Sequence, residues 1–257
     1  MPRREHTRLV NSVSYVGHGT VRLELDGLAM LTDPLLRRRV GHLRRAVPLD
    51  ARLTEGLAAI LISHGHHDHL DVPSLERLDS AVPVVVPRGL GRLLAKHFES
   101  VAEVEEGDEL SFGPVLLRVT PAEHDSRRHL GRLRAAAVGY ALIGSRNVYF
   151  AGDTGPFDGM KGLVPDLDMA LLPIWGWGAK LGRGKHLDPV SAANALRLLR
   201  PRIAVPIHWG TYLPLHRGLR SPPSFLSEPA LAFVREAAAV APEVDVRVLE
   251  PGERLAL

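Results

Sequence analysis

Residues 63–69, Ser-His-Gly-His-His-Asp-His, place four metal-ligating side chains within six positions: His64, His66, Asp68 and His69 in the pattern H-x-H-x-D-H. Along an extended chain, residues two apart point the same way, so His64 and His66 can converge on one point. A sharp bend then lets Asp68 and His69 face a second point nearby. Imidazole and carboxylate donors without thiolate suit Zn(II), with Mn(II) or Fe as alternatives. Two such ions about 3.5–4 Å apart form a hydrolytic device, with a hydroxide held between them as the attacking group. With 13 His and 14 Asp in 257 residues, the four positions coincide by chance in roughly 0.002 windows of such a chain, which makes the stretch a motif rather than a polar run.

The flanking residues say how the motif is held. Ala58 to Ile62 is an apolar run that reads as a buried strand, and Asp71 and Pro73 read as a helix start, so the ligands sit on a turn where a strand ends. Upstream, 13–16, 21–25 and 28–32 read as strands, with Asp26-Gly27 as a two-residue hairpin turn. Residues 35–56 are Arg-rich and read as a long loop near the site. Downstream, helices are expected at 74–78, 89–98, 189–199 and 228–240. Strands are expected at 83–86, 101–104, 109–112, 115–120, 138–143, 147–150, 169–172, 203–205 and 245–249. Antiparallel strands followed by βα alternation suit two sheets packed face to face with helices outside.

Composition narrows the function classes. A length of 257 residues with no low-complexity linker fits one domain, 1–257. There is no cysteine, so disulfides and thiolate zinc sites are excluded. The basic Met1–Thr7 stretch leads into no apolar region of signal-peptide length, and no apolar run is long enough to span a membrane. A cytoplasmic location is therefore expected. The net charge is +3, and the basic runs, such as Arg37-Arg38-Arg39, are short and lack interleaved aromatics, so no nucleic-acid partner is expected.

Three more polar residues stand where buried strands run out: His124 after 115–120, Asp153 after 147–150 and His208 after 203–205, each with Gly or Pro nearby. Strand ends on a rigid scaffold are the usual place for functional groups. Taken with the turn, they complete the donor set of a two-metal site.

The H-x-H-x-D-H turn, then in order the His of Pro-Ala-Glu-His124, the Asp of Gly-Asp153-Thr-Gly and the His of Ile-His208-Trp-Gly-Thr, resembles the metallo-β-lactamase superfamily. Within it, the chain is most similar to the branch of N-acyl-phosphatidylethanolamine phospholipase D and ascorbate-6-phosphate lactonase. Gly17-His18-Gly19-Thr20, Thr32-Asp33-Pro34 and His186-Leu187-Asp188-Pro189 match as well, so the likeness runs from residue 14 to 212.

The resemblance implies a metallo-β-lactamase fold of the α/β (α+β) class: a four-layer αββα sandwich of two mixed sheets flanked by helices, with two metals at one edge. It implies His64, His66 and His124 on one metal, Asp68, His69 and His208 on the other, and Asp153 bridging. The activity it implies is that of a zinc-type, metal-dependent hydrolase acting on a phosphodiester or related phosphate ester. Lactone or other acyl hydrolysis at the same metals is the alternative, and a non-catalytic metal-binding protein on this scaffold is the second.

Asp68 is expected to orient the attacking hydroxide, and His186, just before a helix, to protonate the leaving group. His18 and Asp33 are expected to fix ligand tautomers from behind. Trp175 and Trp177, in a Gly-rich loop, and Tyr212 are expected to wall the substrate pocket. Arg127, Arg128 and Lys185 are placed to bind a small, anionic substrate.

Overall fold

The computed structural model describes residues 11–126, 135–175, 185–215 and 224–257. The chain opens with three antiparallel strands, β1 (Ser12–Gly17), β2 (Thr20–Leu25) and β3 (Leu28–Thr32). The β2–β3 turn is the expected Asp26-Gly27, with both residues at positive φ, 51° and 86°, the mirror-image turn that follows the right-handed twist of its strands. Strand β6 (Ala59–Leu61) pairs parallel to β3, as do β7 (Val84–Pro87) to β6 and β8 (Val101–Val104) to β7. A strand the sequence reading missed, β17 (Arg254–Ala256), closes the other edge against β1. Sheet one thus runs β17-β1-β2-β3-β6-β7-β8.

Sheet two has the same plan: an antiparallel half of β9 (Glu109–Phe112), β10 (Val115–Pro121), β11 (Val138–Ile143) and β12 (Asn147–Phe150), then a parallel half of β13 (Met169–Pro173), β14 (Ile203–Ile207) and β16 (Asp245–Val246). The inner faces of the two sheets bury one continuous core, including Tyr15, Leu23, Leu61, Leu117, Tyr140, Phe150 and Leu171. Burial of this kind is the main favourable contribution to folding.

The outer layers differ. On sheet two lie helices α2 (Pro189–Leu199) and α3 (Ser224–Val240), packed against each other. Helix α2 starts at Asp188, whose carboxylate accepts from Ser191 N–H while the Ser191 hydroxyl accepts from Asp188 N–H, a reciprocal cap with Pro189 at the first turn. Helix α3 begins one turn before the expected Glu228. On sheet one the cover is a single helical turn, α1 (Val72–Leu75), plus the 91–98 segment, which bury Ile60, Ile62, Leu75, Val84, Leu90, Leu94 and Phe98.

Three expectations are corrected here. The amphipathic pattern 89–98 forms only a 3-10 turn at Gly91–Leu93. Glu103 of β8 takes the Gly89 and Gly91 amides on one carboxylate oxygen, and Gly89 has φ +92°, so the backbone is committed to a turn. The expected strand 245–249 ends after Val246. Residues 35–56 are not all loop: β4 (Arg39–Val40) and β5 (Leu43–Arg45) form a hairpin, joined by β15 (Tyr212–Pro214) into a three-stranded sheet. Among the described residues, no helix is long and apolar enough to cross a membrane.

Candidate metal centre

The ligand turn follows β6, and its first residues are tied to sheet two. The Ser63 carbonyl accepts from Val138 N–H (2.9 Å), and the Ile62 carbonyl accepts from the Tyr140 hydroxyl (2.7 Å). Gly152, at φ +60°, lies against Ser63; a Cβ there would stand 2.7 Å from the Ser63 Cβ. Only glycine fits that position, and the close approach brings the strand end carrying Asp153 to the turn.

All seven expected ligands converge. His64 Nε2 lies 3.0 Å from His66 Nδ1, and His124 Nε2 lies 3.1 Å from that same atom. On the other side, His69 Nε2 and His208 Nε2 are 3.2 Å apart, with Asp68 Oδ2 at 3.9 and 4.0 Å from them. Asp153 lies between: its Oδ2 is 3.3 Å from His69 Nε2 and 3.9 Å from His64 Nε2, and its Oδ1 is 3.5 Å from His208 Nε2.

This arrangement fits metal ions on two counts. Nitrogens around a tetrahedral zinc, with bonds of about 2.0–2.1 Å, stand about 3.3 Å apart, close to the spacing seen here. Asp153 Oδ1 is also a buried oxygen without a hydrogen-bond donor, a costly state for a carboxylate that a cation would relieve. His64, His66 and His124 form one group, and Asp68, His69 and His208 a second that also includes His18.

The groups behind the ligands orient them. The Asp33 carboxylate, fully buried, accepts from His69 Nδ1 (2.8 Å), leaving His69 Nε2 to face the centre. His18 Nε2 lies 3.0 Å from Asp68 Oδ2 and donates to it, while the His18 carbonyl accepts from His208 N–H. Two further orienting partners are backbone: His124 Nδ1 donates to the Lys185 carbonyl (2.8 Å) and His208 Nδ1 to the Trp175 carbonyl (2.6 Å). Metal-binding imidazoles hold their second nitrogen in this way.

The electrostatics follow from crowding. Burial, with like charge from His208, pushes the His18 imidazole down to about 3. Burial and the neighbouring rings also push His64 and His66 below the usual imidazole range, so both present lone pairs. Burial would raise Asp68 and Asp153, but the surrounding imidazoles outweigh it and hold both carboxyls well below their usual range. At His69 burial is outweighed by Asp153, Asp33 and Asp68, which push it well above the usual imidazole value.

His186 stands 3.4 Å from Asp153 Oδ2 through a buried Nδ1 that has no hydrogen-bond partner, with its ring edge-on to His124. The helix behind it is capped by Asp188, not by His186. Burial and the nearby His208 and His124 push His186 down to about 4. At neutral pH the ring is therefore neutral.

The pocket expectations divide. Trp175 is half-buried, packs edge-on against Phe225 and helps close a small apolar recess beside His208. Lys185 is exposed and pairs with Asp125 at 3.4 Å. Tyr212, largely buried beside His18, also lines the recess beside His208, and its hydroxyl donates to the Leu35 and Arg37 carbonyls. Arg127, Arg128 and Trp177 lie outside the described residues.

Sequence reasoning passed over Ser63 and Thr211. The Ser63 hydroxyl bridges Asp33 and His64, and the Thr211 hydroxyl accepts from His18 N–H. Their one sequence signal is a hydroxyl residue beside a ligand motif.

Comparison with known proteins gives the family. Residues 29–209 match the family described as Beta-lactamase superfamily domain. A UPF0173 metal-dependent hydrolase of Methanopyrus kandleri is 30% identical over 248 residues, covering 94% of this chain and 97% of its own. The N-acyl-phosphatidylethanolamine-hydrolyzing phospholipase D 1 of Caenorhabditis elegans is 29% identical over 77% of this chain and 64% of its own. Among solved structures, Igni18, a metallo hydrolase from Ignicoccus hospitalis, superposes with a TM-score of 0.71 at 24% identity, over 96% of this chain and 98% of that one.

Proposed function

This chain belongs to the β-lactamase superfamily and is a metal-dependent hydrolase, and we propose that it holds two metal ions, zinc in the first instance, and hydrolyses a phosphodiester or related phosphate ester. His64, His66 and His124 would hold one ion and Asp68, His69 and His208 the other, with Asp153 lying between the two groups. The observation that carries this reading is the Asp153 carboxylate. It sits buried between two sets of imidazole nitrogens, with one oxygen lacking any donor.

Ions of this kind acidify water to a pKa of about 7 and polarise an ester oxygen. The chain's own residues do the rest. Asp33, His18 and the Lys185 and Trp175 carbonyls hold the ligand rings and Asp68 in place, so that little reorganisation is needed during reaction. Asp68, 23% exposed on its side chain, is the ligand most open to solvent in its half of the site and orients the attacking water. His186, neutral and beside Asp153, donates a hydrogen bond to the leaving oxygen rather than acting as an imidazolium. Trp175 and Phe225 supply an apolar wall, and the exposed Lys185, paired with Asp125, would have to leave that partner to meet a negative charge on the substrate.

The phosphodiester assignment draws on the C. elegans relative, which by its name cleaves a phospholipid in the manner of a phospholipase D. The test is hydrolysis of bis(4-nitrophenyl) phosphate before and after chelation, with zinc or manganese restored, and with His66→Ala as control. Turnover that chelation removes, that metal restores and that the variant lacks is the expected result. Absence of turnover in protein shown to hold two metals would reject the phosphodiesterase reading and move the search to lactones and other acyl substrates.

A further inference from the structure

We propose that Ser63 is a positioning residue that relays the hydrogen-bond polarity of Asp33 to His64, so that one buried carboxylate sets the metal-facing nitrogen in both halves of the centre. The inference rests on the metal-centre reading above and concerns how this chain prepares that centre.

The argument is a count of protons. Asp33 Oδ1 accepts from Ser63 N–H at 2.7 Å, and Oδ2 lies 2.5 Å from Ser63 Oγ and 2.8 Å from His69 Nδ1. A carboxylate has no proton to give, so every one of these contacts is a donation to Asp33. The single hydroxyl proton of Ser63 is spent there. Toward His64 Nδ1, 2.9 Å away, Ser63 Oγ can then only accept. His64 Nδ1 must carry the ring proton, and His64 Nε2, 3.0 Å from His66 Nδ1, is left with a lone pair aimed into the centre.

The reverse polarity is costly. If Ser63 donated to His64, the ring proton would move to Nε2, into the metal position. Two oxygens 2.5 Å apart, Ser63 Oγ and Asp33 Oδ2, would also face each other with no proton between them.

Both relay residues are held firmly. Asp33 N–H donates to the Leu61 carbonyl, and the Asp33 carbonyl accepts from the Thr20 hydroxyl. Ser63 is fully buried, with Gly152 against its Cβ and its carbonyl on Val138. Asp33 therefore orients His69 directly and His64 through one hydroxyl, and these two rings fall in different halves of the proposed centre, although they also lie close enough to each other and to Asp33 to form a group of their own.

The test uses the full chain with zinc alone as probe, stripped with chelator and titrated by calorimetry. Imidazole 15N NMR of the metal-free protein reads the tautomers. Wild type is expected to take up two ions and to show His64 as the Nδ1–H tautomer. Ser63→Ala is expected to weaken one of the two binding steps by about 10- to 100-fold and to leave His64 in mixed tautomers. Asp33→Asn offers an N–H where Ser63 needs an acceptor. It is expected to turn the Ser63 hydroxyl to donate to His64 Nδ1, so that the neutral ring carries its proton on Nε2, and to weaken both steps.

If wild type takes up two ions and Ser63→Ala binds both as tightly, with His64 unchanged, the relay is overturned alone. If wild type takes up no zinc, the metal-centre reading falls and the relay with it. Should Ser63→Ala fail to fold, Asp33→Asn still decides: folded Asp33→Asn protein that keeps the His64 Nδ1–H tautomer overturns the proposal.

Discussion

The two sheets deliver their candidate ligands in different ways. Sheet one delivers four of them, His64, His66, Asp68 and His69, on one turn after β6, so their relative positions follow from a few backbone torsions. Sheet two delivers three, each from a separate strand: His124 after β10, Asp153 after β12 and His208 after β14. The turn is a local device. Among the described residues, the strand-end set is held in register by sheet two, by loop contacts such as Glu123 N–H to the Thr154 hydroxyl, and by the seam that joins it to sheet one. The part of that seam directly behind the candidate ligands is made by Val138 on Ser63, Tyr140 on Ile62, Gly152 against Ser63, and His208 on His18.

The sharpest test of this contrast replaces one ligand from each side. His66→Ala and His208→Ala should both abolish chelator-sensitive turnover, read with bis(4-nitrophenyl) phosphate. A variant of either side that keeps wild-type turnover would show that its ligand group is dispensable.

Next in size is Phe233→Ala, on the face of α3 that joins the core over sheet two. Truncating a fully buried Phe costs about 3–5 kcal/mol. Urea unfolding should show that loss, while the folded variant still binds two zinc ions, because the helix layer supplies no ligand.

Gly152→Ala strikes the seam. A positive-φ conformation costs a non-glycine residue about 1–3 kcal/mol, and the added Cβ meets Ser63 at 2.7 Å. Stability should fall by at least that strain, and zinc affinity should fall with it, which separates this variant from Phe233→Ala. Unchanged zinc affinity would mean that the seam does not set the ligand geometry.

The smallest expected effect is Tyr140→Phe, which removes the hydroxyl that donates to the Ile62 carbonyl. A lost hydrogen bond of this kind costs about 1 kcal/mol. Denaturant midpoints should register it, with both zinc sites still filled.

Legibility tracked how local each feature is. The H-x-H-x-D-H turn, the hairpin at Asp26-Gly27 and the capped start of α2 at Asp188-Pro189 all rest on residues a few positions apart, and the structure has them where the sequence places them. The segment 89–98 has helical periodicity but forms turns, because the deciding partner, Glu103, comes from the next strand. Strand β17 was illegible for the same reason: a three-residue strand exists only because β1 offers it an edge. Tyr212 lines the recess beside His208, but the destination of its hydroxyl was illegible: it donates to carbonyls of residues 35 and 37, some 175 positions away in the chain.

The sequence by itself determined which donors are available. With no cysteine and a dense run of His and Asp, the chain can offer only imidazole and carboxylate, and spacing alone brings four of them together. What only the tertiary structure decided is which nitrogen of each ring faces inward and which carboxylate oxygen is left without a donor. Those outcomes depend on the second partner of each side chain: Asp33 for His69, Ser63 for His64, backbone carbonyls at 175 and 185 for His208 and His124. A ring has one proton to place, and the group that takes it comes, for three of these four, from a distant part of the chain.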